Sequence, residues 1–296
     1  MTFLDFILKK NMKKLIKLII KGLINYFFYF LIILLERLKL YKIFRHAFNE
    51  RNENKLYKIN LKNKKKLFFY IPNELNEYRV KTFFSKEPNT LKWIDSFKKN
   101  SLFWDIGSNI GLYSCYAVKQ KNCNVISFEP SVFNLNILAK NINVNNLQEK
   151  ITILPIPLSD NLICSKFNMS DITTGGALSS FSKLTGFDGK NIKKRFSYMT
   201  YGLTIDYMIE KLKFKQPDYL KIDVDGIDHL VLKGGSNTIK NCKSILIEIN
   251  LSFKQQYSFI KRIMKKNKFK LVDQARLVDD KNSAFYRCFN QVWSKK

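Results

Sequence analysis

Hydrophobic and polar positions divide the chain into regions of different pattern. Near the N-terminus Leu15, Ile16, Leu18, Ile19, Ile20, Leu23 and Ile24 recur at helical spacing, opposite a stripe of Lys10, Lys13, Lys14, Lys17 and Lys21. Residues 22–35, GLINYFFYFLIILL, are apolar almost all round, yet these 14 residues fall short of the roughly 20 that a spanning helix needs. The pattern predicts a helix lying in a membrane surface with its lysines snorkelling to the headgroups. A span from Leu18 to Leu35 and an ordinary helix packed on the following domain are the alternatives. No small-residue cleavage site follows the run, which disfavours a secretory signal. Residues 1–45 are therefore expected to form a basic helical, membrane-associating segment. Residues 46–66, polar and ending in Lys62, Lys64, Lys65 and Lys66, are expected to be a basic linker.

From Leu67 the pattern changes to compact strands alternating with helices. Apolar runs at 101–106, 125–128 and 151–156 predict strands, with helical spacing over 111–118 and 132–144 between them. The rhythm lapses between Pro157 and Lys215 and returns with strands expected at 219–224, 244–249, 269–272 and 284–293 and helices at 227–239 and 253–266. Strands joined through helices imply βαβ units and a mostly parallel sheet in an α/β domain over 67–296. The lapse at 157–215 reads as an insertion covering the acceptor side of a site. It carries Thr173, Thr174, Gly175 and Gly176, then the basic Lys190, Lys193, Lys194 and Arg195.

Composition narrows the classes. With 46% hydrophobic and 26% charged residues the chain is globular, which excludes full-length disorder and a collagen-like fibre. Its five cysteines form no C-x-x-C pair, and with only two histidines a structural zinc site is not expected. The thiols suit a reducing compartment, which places the protein in the cytoplasm, peripherally attached to the inner face of the membrane. The net charge of +28 favours anionic partners, although lysine spread over a solvated surface gives the same number.

The strongest local signal is Phe103-Trp104-Asp105-Ile106-Gly107-Ser108-Asn109-Ile110-Gly111, an apolar strand running into an acidic, glycine-punctuated turn. Gly107 and Gly111 permit backbone conformations and close ligand approach that a Cβ would block. The spacing D-x-G-x-N-x-G differs from that of pyrophosphate binders, and Asp105 at the strand end suits a cationic or neutral nucleoside better than a diphosphate. Glu129, in Phe128-Glu129-Pro130 at the end of the next strand, stands where a carboxylate can accept both hydroxyls of a ribose.

These motifs, with Leu158-Ser159-Asp160, Lys221-Ile222-Asp223-Val224-Asp225-Gly226 and Val231-Leu232-Lys233-Gly234 in the same order, resemble the FkbM family of S-adenosylmethionine-dependent methyltransferases over about residues 100–250. The resemblance implies a class I methyltransferase (Rossmann-like) sheet with cofactor motifs at 101–160 and 218–250. It further implies Asp105, Gly107, Asn109 and Gly111 at the methionine end of the cofactor, Glu129 on its ribose and Asp160 on the adenine side. Asp225 and Asp228 stand where the family more often has Glu, one methylene longer.

Methyl transfer from a sulfonium requires donor and acceptor held in line, and an alcohol acceptor must also lose its proton to a base or be acidified by a metal. Candidate catalytic groups are Asp223 and Asp225 after the fourth parallel strand, Glu248 at the end of the fifth, and His229, which also fits a plain helix face. Three oxygen ligands would suffice for Mg²⁺, and a plain acid cluster fits equally well. The expected reaction is O-methylation of a saccharide, glycan or glycolipid hydroxyl, the acceptor resting on the resemblance alone. An RNA methyltransferase and an inactive membrane-associated binding module are the rivals. No N-P-P-Y-like motif and no RRM or KH signature supports a nucleic-acid acceptor, and the oligomeric state is left open.

Overall fold

The computed structural model describes residues 3–295, with side chains from Met12 onward except Lys13 and Asn63. Lys10 and Lys13 of the expected lysine stripe therefore lie outside the described side chains. The described chain separates into one unit up to Asn54 and a second from Lys55.

The first unit is two helices, α1 (Phe3–Arg37) and α2 (Tyr41–Glu53). Within α1 the stretch Lys14–Arg37 has 24 residues and contains an 18-residue window with a mean hydropathy of 2.2 and no buried residue. At 1.5 Å per residue it is about 36 Å long, against roughly 30 Å of bilayer hydrocarbon. The apolar run is thus longer than the 14 residues at its centre suggested, because Leu15 to Ile20 continue it on one helix.

The second unit opens with a hairpin of β1 (Leu56–Asn60) and β2 (Lys66–Tyr70), followed by α3 (Glu74–Lys81) and α4 (Pro88–Asp95). The linker expected over 46–66 is instead the end of α2 and the first strand of this hairpin. Ile59 and Leu61 are buried beside Leu67 and Phe69, and the lysine run occupies the polar turn between the strands. Asparagines of the later helix at 132–144 tie the hairpin down: Asn141 Oδ1 accepts from the Tyr70 N–H at 2.8 Å, and Asn145 pairs with both polar groups of the Phe68 backbone at 2.9 and 2.6 Å.

The main sheet follows: β3 (Leu102–Ile106), α5 (Leu112–Lys121), β4 (Asn124–Phe128), α6 (Val132–Val144) and β5 (Ile151–Leu154). The lapse at 157–215 is not a loop. It holds β6 (Ile163–Met169), β7 (Ser179–Phe181) and β8 (Phe196–Gly202), a three-stranded antiparallel sheet in the order β7-β6-β8, then α7 (Ile205–Glu210). Phe167, Met169 and Phe181 form its small core with Ile227. The chain closes with β9 (Tyr219–Ile222), α8 (Asp228–Gly234), β10 (Ser244–Asn250), α9 (Lys254–Lys266), β11 (Lys270–Arg276) and β12 (Cys288–Ser294).

The seven-stranded order is β11-β12-β10-β9-β3-β4-β5, with β12 antiparallel to both its neighbours and the β10-β9-β3-β4-β5 pairings parallel. The chain runs outward from β3 to β5 and then returns to lay β9 on the other side of β3. That reversal opens a crevice at the carboxyl ends of β3 and β9, the place where open α/β sheets bind ligands. Alternation along β3 sends Phe103 into the layer with α4, α5 and α6, and Trp104 into the layer with α7, α8 and α9. Asp105 falls on the Phe103 side, beneath α5.

Candidate active site

The crevice is built from what each strand carries at its end. After β3 the backbone turns with Gly107 at φ +84°, and a Cβ there would stand 1.9 Å from the Asp223 carbonyl oxygen, so the turn packs directly on the chain leaving β9. Only glycine meets both conditions. The N–H groups of Gly107 and Ser108 both donate to the Phe128 carbonyl at 3.0 Å, which joins the turn to the end of β4. Gly111, also at positive φ, starts α5, and the space a Cβ would need is taken by Leu138 of α6. Gly111 therefore serves helix packing and lines neither hollow of the crevice.

Glu129, 5% exposed, closes the next strand end. Its Oε2 accepts from the Asn109 N–H and its Oε1 from the Ser131 N–H, both at 2.8 Å. Burial pushes its carboxyl up to about 7 against these amides. Glu129 lines a smaller hollow with Ile106, Phe128, Ile156, Leu158, Val224 and Phe167. A larger one lies toward β9 and β10 and includes Arg79, Tyr113, Lys221 and Glu248. Gly107, Asn109, Ala177, Asp223 and Asp225 line both, so the two are halves of one cleft.

Several residues expected at the site stand elsewhere. Asp105 is 0% exposed and lines neither hollow, because strand alternation turns it under α5, where the Ser114 hydroxyl donates to Oδ2 at 2.6 Å. Asp160 is drawn outward by Lys233, whose Nζ is 2.8 Å from Oδ2, and the apolar Ile156, Pro157 and Leu158 form the wall in its place. His229 also lies outside the cleft. It packs edge-on to Phe253 and Phe259, with burial holding its pKa below the ordinary value.

The acidic run after β9 divides into separate roles. The strand ends at Ile222, so Asp223 and Asp225 do not share a strand face; Asp225 sits at φ +57° in the turn. Burial works to raise Asp223, but the Lys221 ammonium 2.6 Å away holds it below the usual carboxylate range. Burial, reinforced by Asp223, pushes Asp225 up to about 6 although its Oδ2 accepts the Leu178 N–H at 2.6 Å. Burial and the charges of Asp223 and Asp225 lift Glu248 well above its ordinary value. Asp228 is buried and caps the turn, accepting from the Val224 and Gly226 N–H groups at 3.1 and 3.0 Å and from Gln256 at 3.1 Å. Among the described residues no three His, Cys, Asp or Glu side chains group as a metal-ligand set, so Asp223, Asp225 and Glu248 do not assemble the Mg²⁺ site considered from the sequence.

Thr174, Gly175 and Gly176, expected from the sequence within a cover on the acceptor side, form a strap whose Gly176 lines the cleft, and the anchors that hold it there are what no local pattern showed. Asn73 and Asn76 donate to the Thr174 carbonyl at 3.0 and 2.7 Å, Arg79 to the Gly175 carbonyl at 2.7 Å, and Asn109 and Asn134 to the Gly176 carbonyl at 2.8 and 3.1 Å. These partners come from α3, the β3 turn and α6, three elements distant in sequence, so no local motif announces them. The lysine of the K-I-D-V-D-G run carried no assigned role either.

Sheet order, glycine turn and strand-end acid define an α/β domain of the class I methyltransferase type. A family model described as the methyltransferase FkbM domain matches residues 105–271, more than half of the chain, and the chain belongs to that family of S-adenosylmethionine-dependent methyltransferases. It is 25% identical over 157 residues to the hexuronic acid methyltransferase AglP of Haloferax volcanii, a match spanning 53% of this chain and 59% of that relative. Among solved structures it is similar to a methyltransferase FkbM from Methylobacillus flagellatus KT, at TM-score 0.44 and 16% identity over 66% of this chain and 44% of that one. It is also similar to TrmK of M. capricolum in complex with S-adenosylhomocysteine, at TM-score 0.40 and 14% identity over 70% and 67%.

Proposed function

We propose that this chain methylates an oxygen of a saccharide or glycolipid, with S-adenosylmethionine held across the cleft and the catalytic unit attached to the cytoplasmic face of a membrane through α1. The observation that carries the cofactor reading is the junction of Gly107, Asn109 and Glu129: a turn too close to its neighbour for any Cβ, with a buried carboxylate that lines the hollow. Glu129 would accept the ribose hydroxyls, and Ile156, Pro157 and Leu158 would flank the adenine. Asp105, behind the turn, supports the loop without touching the cofactor.

The cofactor supplies an already activated methyl group, so the chain's own work is alignment and removal of the acceptor proton. Asp225 is the base this reading selects. Near pH 7 a carboxyl at about 6 is ionised yet still basic enough to take a proton, whereas Lys221 lowers Asp223 and so weakens it as a base, and burial with the neighbouring carboxylates raises Glu248 well above its ordinary value. Asp225 would take the proton of the acceptor hydroxyl as its oxygen is methylated, with S-adenosylhomocysteine the other product. A saccharide is supported by the relative that acts on a hexuronic acid and by the polar strap over the cleft. The attachment is supported by the 18-residue apolar window within α1, and the cytoplasmic side by five free cysteines.

Incubating the purified protein with radiolabelled S-adenosylmethionine and fractionated membranes and extract tests the reading. Label entering a glycan or glycolipid fraction supports it. Label entering RNA alone would replace the acceptor class.

A further inference from the structure

Lys221, the third residue of β9, is 1% exposed and lines the larger hollow, and beyond lowering Asp223 it has no part in the roles above. Its Nζ lies 2.6 Å from Asp223 Oδ2, 4.0 Å from Asp105 Oδ1 and 5.4 Å from the centre of the Tyr113 ring. Burial raises the Asp105 carboxyl, whose Oδ2 is taken by Ser114 and whose Oδ1 has no hydrogen-bond partner, so the charge of Lys221 is given chiefly to Asp223. Asp223 lines the cleft with its side chain 24% exposed and only Oδ2 taken by the lysine, which leaves Oδ1 open to a positive group entering from the cleft.

We propose that Lys221 is a positioning residue that keeps Asp223 ionised and aimed into the cleft, where Asp223 receives the ammonium group at the amino-acid end of the cofactor. The inference rests on the cofactor reading above and adds which residue takes the charged end. Asp223 is the cleft carboxylate fit for this. Burial raises Glu129, Asp225 and Glu248, whereas Lys221 opposes burial at Asp223. The other charged groups facing the pair are Glu87 at the start of α4, Glu248 on β10 and Asp225 in the turn, with Arg79 and Lys86 on the positive side. Asp223 lines both halves of the cleft, so its carboxylate stands between the Glu129 end and the hollow where an acceptor would approach.

Three ligands separate the ends of the cofactor. S-adenosylhomocysteine carries both ammonium and carboxylate, S-adenosyl-3-thiopropylamine keeps only the ammonium, and 5′-methylthioadenosine has neither. Titration calorimetry at pH 7 on wild type, Lys221→Met, Lys221→Arg and Asp223→Asn reads their affinities. The expected result is that Lys221→Met and Asp223→Asn each weaken the two ammonium ligands at least ~10-fold relative to 5′-methylthioadenosine, while Lys221→Arg keeps the wild-type ratio. In Lys221→Met the ratio should fall further from pH 8 to pH 6, because burial unopposed by the lysine lets Asp223 take a proton. Glu129 titrates in the same range but acts on all three ligands and cancels in the ratio. Equal loss for all three ligands, or loss confined to S-adenosylhomocysteine, overturns the proposal; the latter would mean that Lys221 pairs with the cofactor carboxylate. Wild-type protein that binds none of the three overturns the cofactor reading itself. Should Lys221→Met fail to fold by circular dichroism, Asp223→Asn, which removes one cleft-facing charge, decides the matter alone.

Discussion

Glu129 Oε2 accepts the backbone N–H of Asn109 at 2.8 Å, so the carboxylate that ends β4 also fixes the shape of the turn that follows β3. One side chain thus couples the two strand ends that frame the cofactor half of the cleft. Because burial sets its carboxyl at about 7, this coupling responds to pH near neutrality.

The sign follows from the direction of the shift. Folding raises the pKa of Glu129, and likewise of Asp225 to about 6 and Asp228 to about 7, so the folded protein binds more protons than the unfolded chain between about pH 4 and 7. The ligand-free protein should therefore lose thermal stability as pH rises from 5 to 8. Binding that requires ionised Glu129 should tighten over the same range. Differential scanning fluorimetry with and without S-adenosylhomocysteine should show the melting temperature without ligand falling and the ligand-induced shift growing. Glu129→Gln should flatten the growth in the shift.

Gly107 and Gly111 should separate binding from packing. Gly107→Ala places a methyl 1.9 Å from the Asp223 carbonyl oxygen, a backbone atom that cannot move aside alone, and cofactor affinity should fall at least ~10-fold. Gly111→Ala meets only the end of the Leu138 side chain, beside strain at positive φ, and should cost about 1–3 kcal/mol of stability while affinity stays within a few-fold. Calorimetry and chemical denaturation on the two variants provide the comparison; matching losses of affinity would contradict the separation.

Asp225→Asn keeps a side chain that can still accept the Leu178 N–H but removes the basicity. Turnover should fall about 10²-fold or more with cofactor affinity little changed. His229→Ala, outside the cleft against Phe253 and Phe259, should leave turnover within a few-fold. Single-turnover kinetics on an acceptor identified by label transfer would read both, and a His229 variant slower than the Asp225 variant would reverse the assignment.

A protein beginning at Lys55 should fold, bind cofactor and stay in the supernatant with vesicles containing anionic lipid, while the full chain partitions to them and resists carbonate extraction. A protein beginning at Leu67 should be markedly less stable, because it lacks β1 and with it buried Ile59 and Leu61. Sedimentation and thermal melts distinguish the three; equal sedimentation of the Lys55 form and the full chain would remove α1 as the attachment.

The order of strands and helices from Leu102 onward was legible because each apolar run of β3, β4, β9 and β10 is bounded by a turn residue and followed by helical spacing. Within the cover expected at 157–215, the antiparallel sheet and the anchors of the Thr174–Gly176 strap were not. In Ile163–Met169 the polar Ser165 breaks the apolar face of Ile163, Phe167 and Met169, and only the last three residues of the strand are buried, so the alternation is too short to stand out. The lysine run at 62–66 read as a linker because a polar hairpin turn and a polar linker have the same composition, and only the pairing of Leu56 with Tyr70 tells them apart. Gly107, Asn109 and Glu129 lay within local motifs and were found from them. The placements of Asp105, Asp160 and His229 depend on which way a strand faces and on partners such as Lys233 and Phe253, which no spacing in the sequence encodes.

The central claim, that the cleft at Gly107, Asn109 and Glu129 is the S-adenosylmethionine site, is tested most directly by titrating S-adenosylhomocysteine into wild-type and Glu129→Ala protein. The account predicts one site per chain in the wild type and a loss of at least ~2 kcal/mol, about 30-fold, in the variant, from charge-assisted bonds to the ribose that are no longer made. Circular dichroism should show the variant folded. Wild-type affinity in a folded Glu129→Ala protein would contradict it.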